Sequence, residues 1–302
     1  MQILNSFIDN LQAGERQVFE QLHITPLLAK RESQLPFLEI EEALRDGLVE
    51  ITEVSDAGSV PNLQVTNKSL SDILILDGEE LIGARQNRVV NTTIIVPAES
   101  SVTTPVSCVE QGRWRYNSKS FSTSDSFMYP SLRTRKHEDV TSSLRSGAGF
   151  HSNQDRIWDD IQHKSARLDV TSDTMSMSDM YESRRGASES LPFEIPYQQA
   201  QVGFLAFIRD GFAGGDMFGS PELCRRKLHK LLRSYYLDSL DQAVGFPQVT
   251  SEQIFEQVRR ASQEQFETVG KGIELRFESR DVQGAWKLVD DFIPHLMVFP
   301  KR

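Results

Sequence analysis

The sequence predicts an α+β protein with an antiparallel, β-rich body, either a sandwich or a barrel-like sheet, and a few packed helices. Two observations predict the strands: short segments alternate apolar and polar residues, and glycine, asparagine or proline turns follow them closely. A third observation predicts helices, because two segments in the second half begin with typical capping residues. All 302 residues are expected to form a single domain.

The composition predicts a folded protein without a membrane span. The hydrophobic fraction is 38% and the charged fraction is 25%, and no run approaches the ~18 apolar residues that a spanning helix needs. A formal net charge of −10 repels polyanions, so nucleic acid is not expected as a partner. Cys108 and Cys224 form no C-x-x-C pair, which argues against disulfides and structural zinc. Because the N-terminus also lacks a signal-peptide pattern, we expect a reduced, cytoplasmic protein.

Residues 1–116 form the strand-rich part of this prediction. Their alternating or β-branched segments lie at 18–28, 48–54, 62–67, 73–76, 89–97 and 102–110. Strands this short and this closely spaced favour a sandwich or barrel-like sheet over parallel βαβ units.

Residues 117–190 differ in composition and are predicted to be a long loop region with one helix. Serine and threonine dominate, and parts such as SKSFSTSDS are close to low complexity. Such sequence buries little apolar surface to offset chain entropy. The exception is 153–168, where Ile157, Trp158 and Ile161 fall on adjoining helical faces. No small-molecule site is expected in this segment, which is instead a candidate contact for a protein partner that would order it.

Residues 191–302 are predicted to alternate strands and helices. The expected elements are a strand at 201–208, a glycine-rich turn at 209–219, two helices, and strands at 272–278 and 285–299. Ser220 and Pro221 are typical of a helix N-cap and first helical position. Thr250 lies three residues before Gln253, which is the spacing of a capping box, and this second helix is expected to reach about residue 268.

The densest polar cluster between predicted strands lies at residues 79–91. It consists of Glu79, Glu80, Arg85, Gln86, Asn87, Arg88 and Asn91. These side chains can hold a ligand by paired hydrogen bonds. The alternative interpretation is a polar β-turn with internal salt bridges.

A second group of candidates ends the strand that follows. Glu110 beside Arg113 and Trp114 fits a general acid or base with a positioning cation and a stacking surface. A surface ion pair and a core tryptophan would give the same pattern. Cys108 lacks the anion-binding loop of a cysteine phosphatase, so a buried apolar role is expected for it.

The second half of the chain contributes three candidates. His295 lies in an apolar strand, where a histidine is either a satisfied core residue or a proton carrier. Arg276, in the neighbouring strand, could face the same site. Asp216 lies in the glycine-rich turn before a helix N-terminus, which is a weak anion-binding signal or simply a tight connection. The basic run 225–233 is expected to be a solvated helix face and not a nucleic-acid patch.

Several of these blocks together resemble a bacterial family of unknown function. The matching blocks are LDGEELIGARQNRVVNTTIIVPAESSVTTPVSCVEQGRW, the helix around Trp158, QVGFLAFI with the helix after it, and GKGIELRF with HLMVF. The family is named for genomic association with ADP-ribosylglycohydrolases and rhodanese/phosphatase-type proteins. By association alone, the resemblance implies a link with NAD or ADP-ribose metabolism. The residues carried by the matching blocks are Glu80, Gln86, Asn87, Arg88, Glu110, Arg113, Trp114, Asp216, Arg276 and His295.

The leading functional hypothesis is one polar pocket that binds a small anionic ligand of nucleotide type, such as ADP-ribose. Arg88 and Arg113 would pair with its phosphate or carboxylate. Gln86 and Asn87 would contact sugar hydroxyls, and Trp114 would stack on the ligand. Asp216 and Arg276 are further ligand-binding candidates.

Catalysis is left open by the sequence. Glu80 or Glu110 with His295 would supply acid–base chemistry for a hydrolytic or transfer reaction. A metal role for Glu79, Glu80 and Glu110 also stays open, because carboxylates hold magnesium without a spacing signature. No cofactor can be assigned. The alternative function is a non-catalytic binding or adaptor module that engages a protein partner.

Overall fold

The chain folds into antiparallel sheets with helices packed on them, so the predicted α+β class is confirmed. The computed structural model describes residues 2–55, 59–185, 196–241 and 245–301. The chain divides into two compact units. Unit 1 comprises Met1–Leu35, Pro192–Thr268 and Gly272–Arg302, and unit 2 comprises Pro36–Leu191 and Val269–Lys271.

The elements are numbered in chain order. The helices are α1 (Gln2–Asp9), α2 (Ile40–Arg45), α3 (Pro130–Arg145), α4 (Gln154–Arg167), α5 (Met177–Arg185), α6 (Pro221–Ser239) and α7 (Ser251–Arg260). The strands are β1 (Leu11–Ala13), β2 (Gln17–Phe19), β3 (Leu22–Ala29), β4 (Leu38–Glu39), β5 (Val49–Glu53), β6 (Asn62–Asn67), β7 (Ile73–Ile75), β8 (Glu79–Gly83), β9 (Arg88–Val90), β10 (Ile94–Val96), β11 (Ser101–Cys108), β12 (Phe121–Phe127), β13 (Gln201–Ile208), β14 (Gly211–Phe218), β15 (Ser262–Glu267), β16 (Ile273–Glu278), β17 (Val282–Leu288) and β18 (His295–Pro300). None of the helices described is long and apolar enough to span a membrane.

Unit 1 is built on a nine-stranded antiparallel sheet in the order β1-β3-β13-β14-β18-β17-β16-β15, with β2 paired to β3. Helices α1 and α7 bury Leu4, Ile8, Ile254 and Val258 in one core cluster with residues of the sheet. A spacing of four places each pair on one helical face, which explains why these short helices dock.

Helix α6 begins where the sequence predicts. The Ser220 side chain accepts a hydrogen bond from the Leu223 amide, and Pro221 occupies the first turn. The helix packs on β13, where the rings of Phe204 and Tyr235 meet edge to face at 5.3 Å. Its N-terminus is therefore anchored in a buried position by a single hydroxyl group.

Removing this cap is expected to destabilise the protein measurably. Ser220→Ala leaves the Leu223 amide without its acceptor and should lower the free energy of unfolding by about 1 kcal/mol. Urea denaturation at neutral pH measures the change. Ser220→Thr keeps the hydroxyl and serves as the control. Equal losses for both variants would contradict a capping role.

Unit 2 contains a six-stranded sheet in the order β12-β8-β9-β11-β6-β5 and a three-stranded sheet in the order β10-β7-β4. All pairs are antiparallel except β4 with β7. A shared core includes Ile51, Leu63, Leu81, Val90 and Ile94. The two sheets thus enclose one hydrophobic core.

The predicted strand at 89–97 divides between these two sheets. β9 belongs to the six-stranded sheet and β10 to the three-stranded sheet. Between them, the Asn91 side chain donates to the Phe150 carbonyl and accepts from the Ser107 hydroxyl. A run of β-branched residues predicts extended backbone, but the change of sheet depends on these distant partners.

The prediction for residues 117–190 is wrong in part. The helix predicted at 153–168 is present as α4, with Asn153 as its N-cap, but β12, α3 and α5 also form in this segment. Helix α3 is attached by charge: Arg133 and Lys136 both contact Asp77, at 3.4 and 2.7 Å. A helix held by buried ion pairs shows little apolar periodicity, so its sequence resembles a loop.

Two further expectations are wrong. The glycine-rich segment 209–219 contains the fully buried strand β14, not an extended turn. Glycine is needed there because a Cβ on Gly215 would lie 2.7 Å from the Phe204 carbonyl of the paired strand.

The helix from Thr250 ends at Arg260, and β15 follows as a polar edge strand of the unit 1 sheet. The short helices α1 and α2 were not predicted, and segment 285–299 spans parts of both β17 and β18.

Candidate functional site

Glu110 and Arg113 form a two-point ion pair in unit 2. The guanidinium donates from Nε to Glu110 Oε1 at 2.8 Å and from Nη2 to Oε2 at 2.7 Å. Arg113 also donates to the Ala84 carbonyl at 2.8 Å and to Asn87 Oδ1 at 3.1 Å. A two-point fork of this kind is a strong, directional interaction. The donors of Arg113 are therefore used inside the protein.

The same contacts set the charge of Glu110. Burial would raise the pKa of Glu110, but hydrogen bonds from Arg113 and from the Asn87 amide outweigh that effect and hold the pKa below its ordinary value. Glu110 is consequently ionised near neutral pH. It cannot act there as a general acid.

Gln86 links this pair to Cys108 and Arg88. Its Nε2 donates to the Glu110 carbonyl, and its Oε1 accepts from Arg88 Nη1 at 3.0 Å and from Cys108 Sγ at 3.2 Å. Burial raises the pKa of the Cys108 thiol, although Arg88 acts against this. Cys108 is buried as expected, but its thiol donates to Gln86 Oε1 and to the Glu110 carbonyl, so its surroundings are polar and not apolar.

Glu80 is fully buried in β8 beside the hydroxyl of Ser124, which donates to its Oε2 at 2.7 Å. A register shift between Thr123 and Phe127 in β12 accompanies this contact, and such irregularities redirect side chains. Burial, with the charges of Glu110, Asp179 and Glu182 acting in the same direction, raises the pKa of Glu80 to about 8. Glu80 thus carries a proton at pH 7.

A cleft of about 570 Å³ opens in unit 2 next to these residues. We call it the polar cleft. Its lining residues are Ile82, Gly83, Asn87, Glu110, Arg113, Asn117, Ser118, Ser122, Thr123, Ser124, Asp125, Ser126, Ser176, Ser178, Asp179 and Glu182. Most of these belong to the serine-rich segment in which no site was predicted. The sequence held one sign of this site. The polar segment SFSTSDS, which we interpreted as a loop, also fits a strand that presents a polar face.

Backbone contacts place helix α5 at the cleft. The Gly112 amide donates to the Thr174 carbonyl, and the Met177 amide donates to the Val109 carbonyl, each at 2.8 Å. A Cβ on Gly112 would lie 2.9 Å from Thr174 Cα, so the two segments approach this closely only with glycine. Ser178 then accepts from Asn87 Nδ2 at 3.2 Å.

The polar cleft is acidic. Among its lining residues, Glu110, Asp125, Asp179 and Glu182 are carboxylates and Arg113 is the one cation. The lining therefore holds more carboxylates than cations. The cleft therefore favours neutral or positively charged groups.

The predicted residues of unit 2 occupy different places around the cleft. Asn87, Glu110 and Arg113 line it, whereas Glu80, Gln86, Arg88 and Trp114 are not among the lining residues. Trp114 is half-exposed, with the guanidinium groups of Arg85 and Arg88 5.4 and 5.9 Å from the centre of its ring. It is not the core tryptophan of the alternative interpretation.

His295 and Asp216 form a buried pair in unit 1. His295 Nε2 lies 3.0 Å from Asp216 Oδ1, and Tyr235 donates to Asp216 Oδ2 at 3.3 Å. The imidazole also stacks on Phe218, with ring centres 5.0 Å apart. This environment is that of a satisfied core histidine.

Arg276 is likewise buried in unit 1, where it donates to Glu274 at 2.8 Å. Unit 1 thus holds Asp216, Arg276 and His295, while Glu80 and Glu110 belong to unit 2. Neither unit by itself contains the predicted combination of a glutamate with His295.

Unit 1 has a cleft of its own, with a volume of about 550 Å³. Its lining is mixed: about half of the residues are apolar, including Phe7 and Phe292, and the others include Asp9, Lys30, Arg31 and Asp291. None of the predicted site residues lines it.

Glu79 does not share a site with Glu80 and Glu110. Carboxylate oxygens of Glu39, Glu41 and Glu79 lie within 4.8 Å of one another. Adjacent residues of a strand point to opposite faces, so Glu79 and Glu80 diverge. Each of these three residues makes other interactions, and we assign no metal to the cluster.

The fold and the polar cleft together define a β-rich α+β protein with an acidic, hydroxyl-lined cleft. The chain belongs to the ARG and Rhodanese-Phosphatase-superfamily-associated Protein (ARPP-1) domain family, whose model matches residues 10–299. The family's name records an association with those proteins and states no activity. No curated protein and no solved structure matches the chain.

Proposed function

We propose that the protein binds the hydroxyl-rich, ribose-type part of a small ligand in the polar cleft. The observation that carries this proposal is the lining itself, which combines serine and asparagine residues with four acidic residues. Carboxylates accept hydrogen bonds from sugar hydroxyls, and serine and asparagine both donate and accept. A volume of about 570 Å³ suits a small-molecule ligand.

The acidic lining of the cleft disfavours the predicted anionic nucleotide unless the charge of its phosphates is neutralised. A bare phosphate would meet Asp125, Asp179 and Glu182, and the donors of Arg113 are already used. An ADP-ribose-type ligand fits when a divalent cation neutralises its pyrophosphate. A cationic riboside needs no such ion. The link with NAD or ADP-ribose metabolism rests on the family resemblance alone.

Glu80 is the acid–base candidate that fits this proposal. It holds a proton at neutral pH and contacts Ser124, whose side chain lines the cleft. To pass that proton to a bound ligand, Ser124 Oγ would accept it from Glu80 and release its own hydroxyl proton to the ligand, which reverses the direction in which Ser124 donates to Glu80 in this structure. Glu110 would act by orienting Arg113 and Asn87.

Isothermal titration calorimetry with three ligands tests the proposal: ribose, nicotinamide riboside, and ADP-ribose with and without Mg²⁺. Asp179→Asn removes one cleft charge. The substitution should weaken binding of the cationic riboside about fivefold, and it should strengthen binding of magnesium-free ADP-ribose by a similar factor. Each change is equivalent to about 1 kcal/mol of binding free energy. Opposite effects on the two ligands distinguish electrostatics from a loss of folding.

Asp46→Asn is the matched control, because Asp46 is an exposed residue of unit 2 outside the cleft. It should leave both affinities unchanged. The proposal fails if none of these ligands binds, or if the two variants shift the affinities equally.

The adaptor alternative has less support. It depended on a serine-rich loop that a partner would order. In the described part of that segment, β12, α3, α4 and α5 are already packed within unit 2. The polar cleft is the feature that these elements build.

A further inference from the structure

The cleft of unit 1 combines partly or fully buried apolar side chains with exposed charged ones. Its volume of about 550 Å³ lies in the range of small-molecule pockets, which are lined by apolar and aromatic groups and a few polar ones. It shares no lining residue with the polar cleft, which lies in unit 2. The unit 1 cleft is therefore a separate candidate for a ligand site.

Helix α1 forms one apolar wall of the unit 1 cleft. Leu4 and Ile8 are buried in the core of unit 1, whereas Ile3 and Phe7 are only partly buried and line the cleft. Residues four positions apart share a helical face, so the two pairs form adjoining stripes. The apolar surface of α1 is thus wider than the stripe that enters the core, and the second stripe lines the cleft.

Phe292 adds an aromatic group from the connection between β17 and β18. A Cβ on Gly219 would lie 2.3 Å from Cζ of the Phe292 ring and 2.4 Å from the Ile293 carbonyl oxygen. The ring therefore lies against the backbone of Gly219, and a larger residue at this position would displace it. Gly219, Phe292 and Ile293 all line the unit 1 cleft, so this contact fixes a second apolar wall.

The charges of the unit 1 cleft do not cancel. Lys30 Nζ donates to the Asp9 backbone carbonyl at 2.7 Å, and among the described residues neither Lys30 nor Arg31 forms an ion pair. The Asp9 carboxylate is paired at 2.7 Å with Arg259, which does not line the cleft. Asp291 is the other acidic residue of the lining. Two cations are thus left against one carboxylate, so the cleft attracts a single negative charge.

These features define the chemistry of the ligand. Lysine and arginine bind carboxylates by charge-assisted hydrogen bonds, and apolar walls favour the burial of a hydrocarbon body. A phosphate monoester carries more negative charge than the one excess cation balances. We propose that the unit 1 cleft binds a small amphipathic carboxylate, with its apolar body against Phe7 and Phe292 and its carboxylate beside Lys30 and Arg31. This proposal does not depend on the proposed function of the polar cleft.

Octanoate, octan-1-ol and octylammonium are matched probes that share an apolar body and differ in the charge of the head group. Isothermal titration calorimetry with the full-length protein should show saturable binding of octanoate. Octan-1-ol should bind about fivefold more weakly, and octylammonium at least about tenfold more weakly. Phe7→Ala removes part of an apolar wall and should weaken the binding of octanoate and octan-1-ol by the same factor.

Two substitutions of exposed residues test the charge assignment. Arg31→Gln should weaken octanoate binding about fourfold and leave octan-1-ol binding unchanged, whereas Asp291→Asn should strengthen octanoate binding by about the same factor. Opposite effects of two substitutions in one cleft distinguish electrostatics from a loss of folding. Arg280→Gln, at an exposed position of unit 1 outside the cleft, is the matched control and should leave all three affinities unchanged.

The absence of saturable octanoate binding would overturn the inference, and so would equal affinities for the three probes. An Arg31→Gln protein that binds octanoate as the Arg280→Gln protein does would contradict it as well. Arg31 and Asp291 are exposed, so we expect both variants to fold. These outcomes decide the question even if Phe7→Ala does not fold.

Discussion

Arg113→Ala is expected to lower the free energy of unfolding by about 3 kcal/mol. The substitution removes both arms of the fork to Glu110 and the bond to the Ala84 carbonyl, and leaves a buried carboxylate without its cation. Arg113→Lys should recover only part of the loss, because a lysine ammonium cannot form the planar fork. Guanidinium chloride denaturation of the three proteins measures both effects.

An exposed ion pair of the same unit provides the control. Lys68 and Glu50 lie 2.8 Å apart with about half of each side chain exposed. Lys68→Ala should therefore cost less than about 1 kcal/mol. A loss at Arg113 no larger than the loss at Lys68 would show that the fork does not stabilise the protein.

Glu80→Gln is expected to change how stability depends on pH. The pKa of Glu80 is about 8 in the native protein, compared with 4.5 for the unperturbed group. Between these values the native state keeps a proton that the unfolded state releases, so Glu80 makes stability fall as pH rises through this window. Glutamine carries no charge at any pH. The variant should match the wild type near pH 4 and be more stable near pH 8, by up to about 5 kcal/mol.

Thermal unfolding at intervals from pH 4 to pH 9 measures this difference. Glu50→Gln, at an exposed position, should leave the pH profile parallel to that of the wild type. A constant offset between Glu80→Gln and the wild type across the whole range would show that Glu80 is not protonated in the native state.

Local signals in the sequence correctly predicted the starts of three of the seven helices described. Asn153, Ser220 and Thr250 are the N-caps of α4, α6 and α7. Capping depends on hydrogen bonds between residues two or three positions apart, so it can be recognised without knowledge of the fold. The end of α7 was harder to predict, because the helix stops at Arg260 where β15 begins to pair with β16.

Helix α3 shows why the serine-rich segment was misjudged. Its attachment depends on Asp77, more than fifty positions away in the chain, which contacts Arg133 and Lys136. Sequence periodicity reports apolar contacts and not buried ion pairs. The serine content was a correct sign of low hydrophobicity but not of disorder.

The sequence by itself determined the β-rich α+β class, the helix caps and the polar residues around Glu110. Glu110 and Arg113 are only three residues apart, so their pairing is a local event. The tertiary structure alone decided which polar residues share a site. The polar cleft requires β12 to pair with β8 and α5 to dock beside Gly112, and His295 belongs to the other unit. These arrangements depend on contacts between distant segments, whose energies are set by complementary surfaces and not by any short stretch of sequence.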